Sequence, residues 1–114
     1  MPKAAIRVRK MNQYRIPFDE IPWEISPQGV RYKVYREGSS QLRLLEFGKD
    51  LDHPDWCVTG HIGYVVEGIM EVEFDDQTIT FHEGDGMYFP AGEGDRHRPK
   101  ALTEKVRLIL VEQV

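Results

Sequence analysis

The sequence predicts a single all-β domain, a closed barrel or sandwich of short strands. Three observations carry that expectation. Apolar and polar side chains alternate with a period of two along several segments, turn-forming residues separate those segments, and no stretch has the apolar spacing of a three-turn helix. At 114 residues the chain is long enough to close one core and too short for two.

Taken in order, residues 1–26 read as an arm or edge strand, and residues 27–114 as the barrel. Pro17, Pro22 and Pro27 punctuate the arm, and Phe18, Ile21 and Trp23 would be adhesive if left exposed, which predicts docking. Whether the arm docks on its own barrel or on a second subunit stays open. Val30, Tyr32 and Val34 then alternate with Arg31, Lys33 and Tyr35, and Leu42 and Leu44 alternate with Gln41 and Arg43. Met70, Val72 and Phe74 alternate with Glu71 and Glu73; Ile79 and Phe81 alternate with Thr78, Thr80 and His82. Val106, Leu108 and Leu110 close the series against Lys105 and Arg107. Each pattern describes a strand with one buried face. The breakers fall between them, at Pro27–Gly29, Glu37–Ser40, Asp75–Asp76, Glu83–Gly86 and Pro90–Gly94.

Composition excludes several classes. The chain is 40% hydrophobic and 30% charged, the mixture of an ordinary globular domain. A net charge of −4 argues against a nucleic-acid partner, and the small basic cluster of Lys3, Arg7, Arg9 and Lys10 reads as a solvated end. Residues 1–13 lack the apolar core of a secretion signal, and the longest later apolar run, Leu108 to Val111, is too short to span a bilayer. One cysteine cannot form an internal disulfide, which fits a reducing compartment; the expected location is cytoplasmic.

The chemistry gathers between Asp55 and His97. The stretch Gly63-Tyr64-Val65-Val66-Glu67-Gly68, continued by Ile69 to Phe74, resembles the centre of the first cupin motif, G-x5-H-x-H-x3,4-E-x6-G. Gly84-Asp85-Gly86-Met87-Tyr88-Phe89-Pro90-Ala91-Gly92 resembles the start of the second, G-x5-P-x-G-x2-H-x3-N. The resemblance implies a cupin-type double-stranded β-helix, a jelly-roll barrel. Registered on Gly68, the motif's glutamate position holds His61, its second histidine position Cys57 and its first Asp55. Registered on Gly92, the second motif's histidine position holds Asp95, with His97 two residues on and no asparagine after it. All four ligand positions of the family pattern are therefore rewritten.

The replacements still include competent ligands. Asp55, Cys57 and His61 share one parity, as do Asp95 and His97, and the resemblance places these faces in the barrel interior. Thiolate and imidazole suit zinc or iron, with manganese a third candidate. The most economical metal set is Cys57, His61 and His97, with Asp55 or Asp95 as fourth ligand or supporting partner. Blander readings stand beside this one: a buried small hydrophobe for Cys57, a satisfied core residue for His61 and a surface residue for His97. His53 reads as a loop residue and His82 as solvent-facing. Without metal, His61 and His97 would serve as general acid and base, and Arg43 and Tyr64 would add polar groups to a pocket.

Two functions follow from different classes. One is a metal-dependent oxygenase, isomerase or lyase acting on a small polar molecule, reactions that the resemblance implies without choosing among them. The other is a non-catalytic cupin that binds or senses a small ligand and has lost the usual metal site. The expected partner is a small molecule, with neither nucleic acid nor membrane. The resemblance also implies a homodimer, formed through the arm or through an edge strand such as Lys105 to Val114.

Overall fold

The computed structural model describes residues 14–51 and 54–114. Nine strands follow in chain order: β1 (Glu24–Ile25), β2 (Arg31–Glu37), β3 (Ser40–Gly48), β4 (His61–Glu67), β5 (Met70–Glu73), β6 (Thr78–Phe81), β7 (Gly86–Phe89), β8 (Arg98–Ala101) and β9 (Lys105–Gln113). They form an antiparallel six-stranded sheet in the order β1-β2-β3-β9-β4-β7 and a three-stranded sheet in the order β6-β5-β8. The all-β jelly-roll expectation holds. Among the described residues no helix is long and apolar enough to cross a membrane.

The alternation in the sequence becomes the core. Val106, Leu108 and Leu110 of β9, Val65 of β4, Met87 and Phe89 of β7, and Met70 and Val72 of β5 are all buried between the sheets. Burying such side chains stabilises the fold by roughly 1.5–3 kcal/mol each. Gly68, between β4 and β5, has φ +90°, and a Cβ there would sit 2.2 Å from the Lys105 carbonyl oxygen. Only glycine allows the chain to cross between sheets at that point.

Two expectations need correction. Strand β3 turns its other face inward: Arg43, Leu45 and Phe47 lie opposite Leu110, Leu108 and Val106, so Gln41 and Arg43 face the interior while Leu42 and Leu44 face out. The cause is electrostatic, because Gln41 and Arg43 bond a buried carboxylate on β9. Strand β9 is also no edge; it lies mid-sheet, hydrogen-bonded to β3 and β4.

The described part of the arm docks on its own barrel. Its β1 pairs with β2, Lys33 Nζ donates to the Phe18 carbonyl at 2.6 Å, and the Trp23 ring lies under the Arg31 guanidinium at 4.0 Å. Lys3, Arg7, Arg9, Lys10 and His53 lie outside the described residues.

Candidate metal centre

Cys57 reaches the interior on a short segment outside the long strands. It is fixed by a two-hydrogen-bond bridge to His97: Cys57 N–H donates to the His97 carbonyl at 2.8 Å, and His97 N–H donates back at 3.0 Å. Next to it, the Trp56 ring packs against the guanidinium groups of Arg96 and Arg98, at 4.3 and 4.2 Å. Each arginine is held in turn by a carboxylate, Asp75 and Glu73 respectively. His61 opens β4, where its period-two position points it inward opposite Phe89.

These three side chains converge. The donor atoms of Cys57, His61 and His97 lie within 4.8 Å of one another, and Cys57 Sγ is 3.8 Å from His61 Nε2. Both histidines are buried, with Phe89 edge-on to the His61 ring and tilted against the His97 ring, and Phe74 also tilted beside His97. His97 Nδ1 donates to the Asp95 carbonyl oxygen at 2.9 Å, which leaves Nε2 as the free acceptor. That Nε2 is buried without a hydrogen-bond partner. A buried imidazole nitrogen rarely goes unpartnered, and a ring fixed through one nitrogen with the other left free is the posture of a metal ligand.

The surroundings of His61 include a residue that the strand pattern alone did not single out. Glu112, only 2% exposed, brings Oε2 to 2.6 Å from His61 Nδ1 in an ion-pair approach whose angle departs from that of an aligned hydrogen bond. Arg43 binds the same carboxylate with two nitrogens, at 2.7 and 2.8 Å, and Gln41 adds a third donor at 2.6 Å. A signal was available in the sequence, since Glu112 continues the inward parity of Val106, Leu108 and Leu110.

Charge is redistributed across this group. His61, hydrogen-bonded to the sulfur, and the neighbouring His97 ring outweigh burial and lower the Cys57 thiol to about 5. At His61 burial opposes the charged form, but Cys57 and Glu112 overcome it and raise the imidazole to about 9. Burial likewise opposes ionisation of Glu112, and His61, Arg43 and Gln41 overcome it, lowering the carboxyl to about 2. Without metal, then, the group is a thiolate–imidazolium pair beside a guanidinium–carboxylate pair.

The other candidates stand apart. The Asp55 carboxylate is exposed at the rim of the cavity, and Asp95 is exposed in a 3-10 turn, offering His97 its main-chain oxygen. Arg43 does line the cavity; Tyr64 is half-exposed on the outer face, and His82 faces solvent. The cavity beside the cluster holds about 500 Å³ and is walled mainly by apolar side chains, with Ser26, Gln28, Tyr32, Arg43 and Thr59 among its polar groups.

A barrel of two antiparallel sheets with this interior cluster defines the class of protein, and the sequence comparison agrees. Residues 51–112 match the family model described as "Cupin domain" (Cupin_2), and the chain belongs to that family. No curated protein matches the sequence. Among solved structures the chain is similar to a cupin-2 domain containing protein from Shewanella frigidimarina (24% identity, 73% of this chain and 79% of that one, TM-score 0.60). It is also similar to KdgF from Halomonas sp. (22%, 83% and 87%, TM-score 0.65) and to an RmlC-like cupin from Shewanella frigidimarina (16%, 83% and 85%, TM-score 0.66). At these identities the likeness is one of fold.

Proposed function

We propose that this cupin holds one divalent metal ion through Cys57 Sγ, His61 Nε2 and His97 Nε2, and acts as a small metal-dependent enzyme on a molecule admitted to the adjoining cavity. The unpartnered His97 Nε2, beside a thiol and a second imidazole, carries this reading. One sulfur and two nitrogen donors suit zinc or iron better than manganese, which prefers oxygen ligands. Three protein ligands leave a position open, where a bound ion supplies Lewis acidity to water or substrate.

The chain's own groups prepare that centre. Glu112 sits against His61 Nδ1 and favours the tautomer with its proton there, freeing Nε2; the Asp95 carbonyl does the same for His97. Arg43 keeps Glu112 ionised, and Phe74 and Phe89 keep water from the rings. The reaction type remains within the oxygenase, isomerase and lyase range, and cytoplasmic placement is part of the same proposal.

The test is metal analysis of untagged protein grown with zinc, iron and manganese, beside the Cys57→Ser and His61→Ala variants. Stoichiometric zinc or iron in the wild type, lost in both variants, is expected. A metal-free wild type would remove the proposal and leave a cupin that binds small ligands without metal.

The proposal includes a homodimer. Phe18 and Trp23 are partly covered on their own subunit, and β9 lies mid-sheet with no free edge. The outer face of β4, β7 and β9 instead carries Ile62, Tyr64, Tyr88 and Val111 in adjoining register, all exposed, with Tyr88 at 70%. An apolar face of this kind fits pairing with a second copy.

A further inference from the structure

The charges at the cavity can be counted, and the count depends on whether the ion is present. Arg43 and Glu112 neutralise each other through two hydrogen bonds. In the metal-free protein Cys57 and His61 share one proton between them, so that pair is also neutral whichever atom carries it. Apart from the exposed Asp55 carboxylate at its rim, the apo cavity therefore offers no net charge. A divalent ion displaces that proton and meets a single thiolate, so one positive charge remains uncompensated beside the Arg43–Glu112 pair.

Among the described residues no buried carboxylate beside the cluster is left free to cancel it. The Asp55 carboxylate is exposed to water at the rim and screened by it. The Glu24 carboxylate is exposed and bonded to the Tyr32 hydroxyl, while Arg96 and Arg98 are tied to Asp75 and Glu73. Behind the cluster the walls are apolar, among them Val30, Leu45, Met70, Met87, Leu108 and Leu110. A lone charge is costly in such a space, and an arriving anion relieves the cost. Those apolar walls favour an apolar body, and among the described residues the lining holds no second cation for a dianion.

We propose that the metal-loaded cavity selects a small monoanion with an apolar body, a carboxylate in the simplest case, over its neutral isostere. The inference rests on the metal reading above and deepens it by naming the ligand class.

The experiment uses the full chain loaded with cobalt(II), whose visible absorption reports its coordination. Phenylacetate and phenylacetamide serve as probes, with calorimetry on the apo protein as control and circular dichroism as the check on folding. Phenylacetate should change the cobalt spectrum and bind at least tenfold more tightly than the amide, and the apo protein should show no such preference. Glu112→Gln adds one positive charge and should enlarge the preference; Arg43→Gln removes one and should abolish it. Equal affinity for acid and amide on the cobalt protein would overturn the inference while leaving the metal reading intact, as would a smaller preference in Glu112→Gln. Failure of cobalt to load at all would overturn both.

Discussion

Cys57 and His97 hold each other by reciprocal main-chain hydrogen bonds of 2.8 and 3.0 Å, which sets thiol and imidazole side by side although forty residues of sequence separate them. The bridge joins a loop to the residue immediately before β8, outside either sheet's ladder. The side-chain chemistry of the site depends on it.

The first prediction concerns the thiol in metal-free protein. Cys57 should ionise with a midpoint of about 5, read as thiolate absorbance or as alkylation rate against pH. Because its pKa is depressed in the fold, its contribution to stability is complete above 9.0, the ordinary thiol value, and fades as pH falls towards 5. In His61→Ala the midpoint should climb towards 9.0. An unmoved midpoint would show that His61 does not carry the shift.

Glu112 governs acid stability. Its carboxyl is held near 2, so its contribution is present above 4.5 and is lost as pH falls through that interval. Glu112→Gln leaves the partly exposed Arg43 without its counter-charge and should cost about 2 kcal/mol at neutral pH, below the roughly 3–5 kcal/mol of breaking a fully buried pair. Denaturant midpoints at pH 7 and pH 3 check both points; the gap between wild type and variant should narrow at the lower pH.

Trp56 should matter without touching a metal. Packed against Arg96 and Arg98, it pins the segment that delivers Cys57. Trp56→Ala should weaken zinc binding about 10- to 100-fold, the range typical of groups that orient ligands. Chelator competition measures it, and Trp56→Phe should recover part of the loss.

Oligomeric state follows from the outer face. Light scattering should report a dimer for the wild type and a monomer for Tyr88→Glu, whereas a chain lacking residues 1–23 should remain dimeric. A dimer that survives Tyr88→Glu would place the contact elsewhere.

Much of the barrel was legible because its inward side chains repeat every second residue in β2, β5 and β9. The rule misled in β3, where Leu42 and Leu44 look like core positions. The true inward residues, Gln41 and Arg43, are polar because they serve Glu112. It also broke down at Asp55 and Asp95, which share the parity of Cys57 and His97 but sit in a loop and a 3-10 turn, where period two does not apply. His61 was readable because it starts a regular strand. Cys57 was readable as a candidate, but its pairing with His97 comes from a long-range bridge that no local pattern encodes.

The salt bridge between Arg43 and Glu112 closes a loop of 69 residues. Such a contact carries the closure entropy of a long loop and should form late in folding. The Cys57–His61–His97 cluster that leans on it has no counterpart in a partly folded chain, so under the proposed metal reading an ion captured there would act as a late latch. It adds to stability by mass action and leaves the earlier folding steps unchanged. Withholding metal should thus shorten the lifetime of the finished barrel while barely altering how fast it is made.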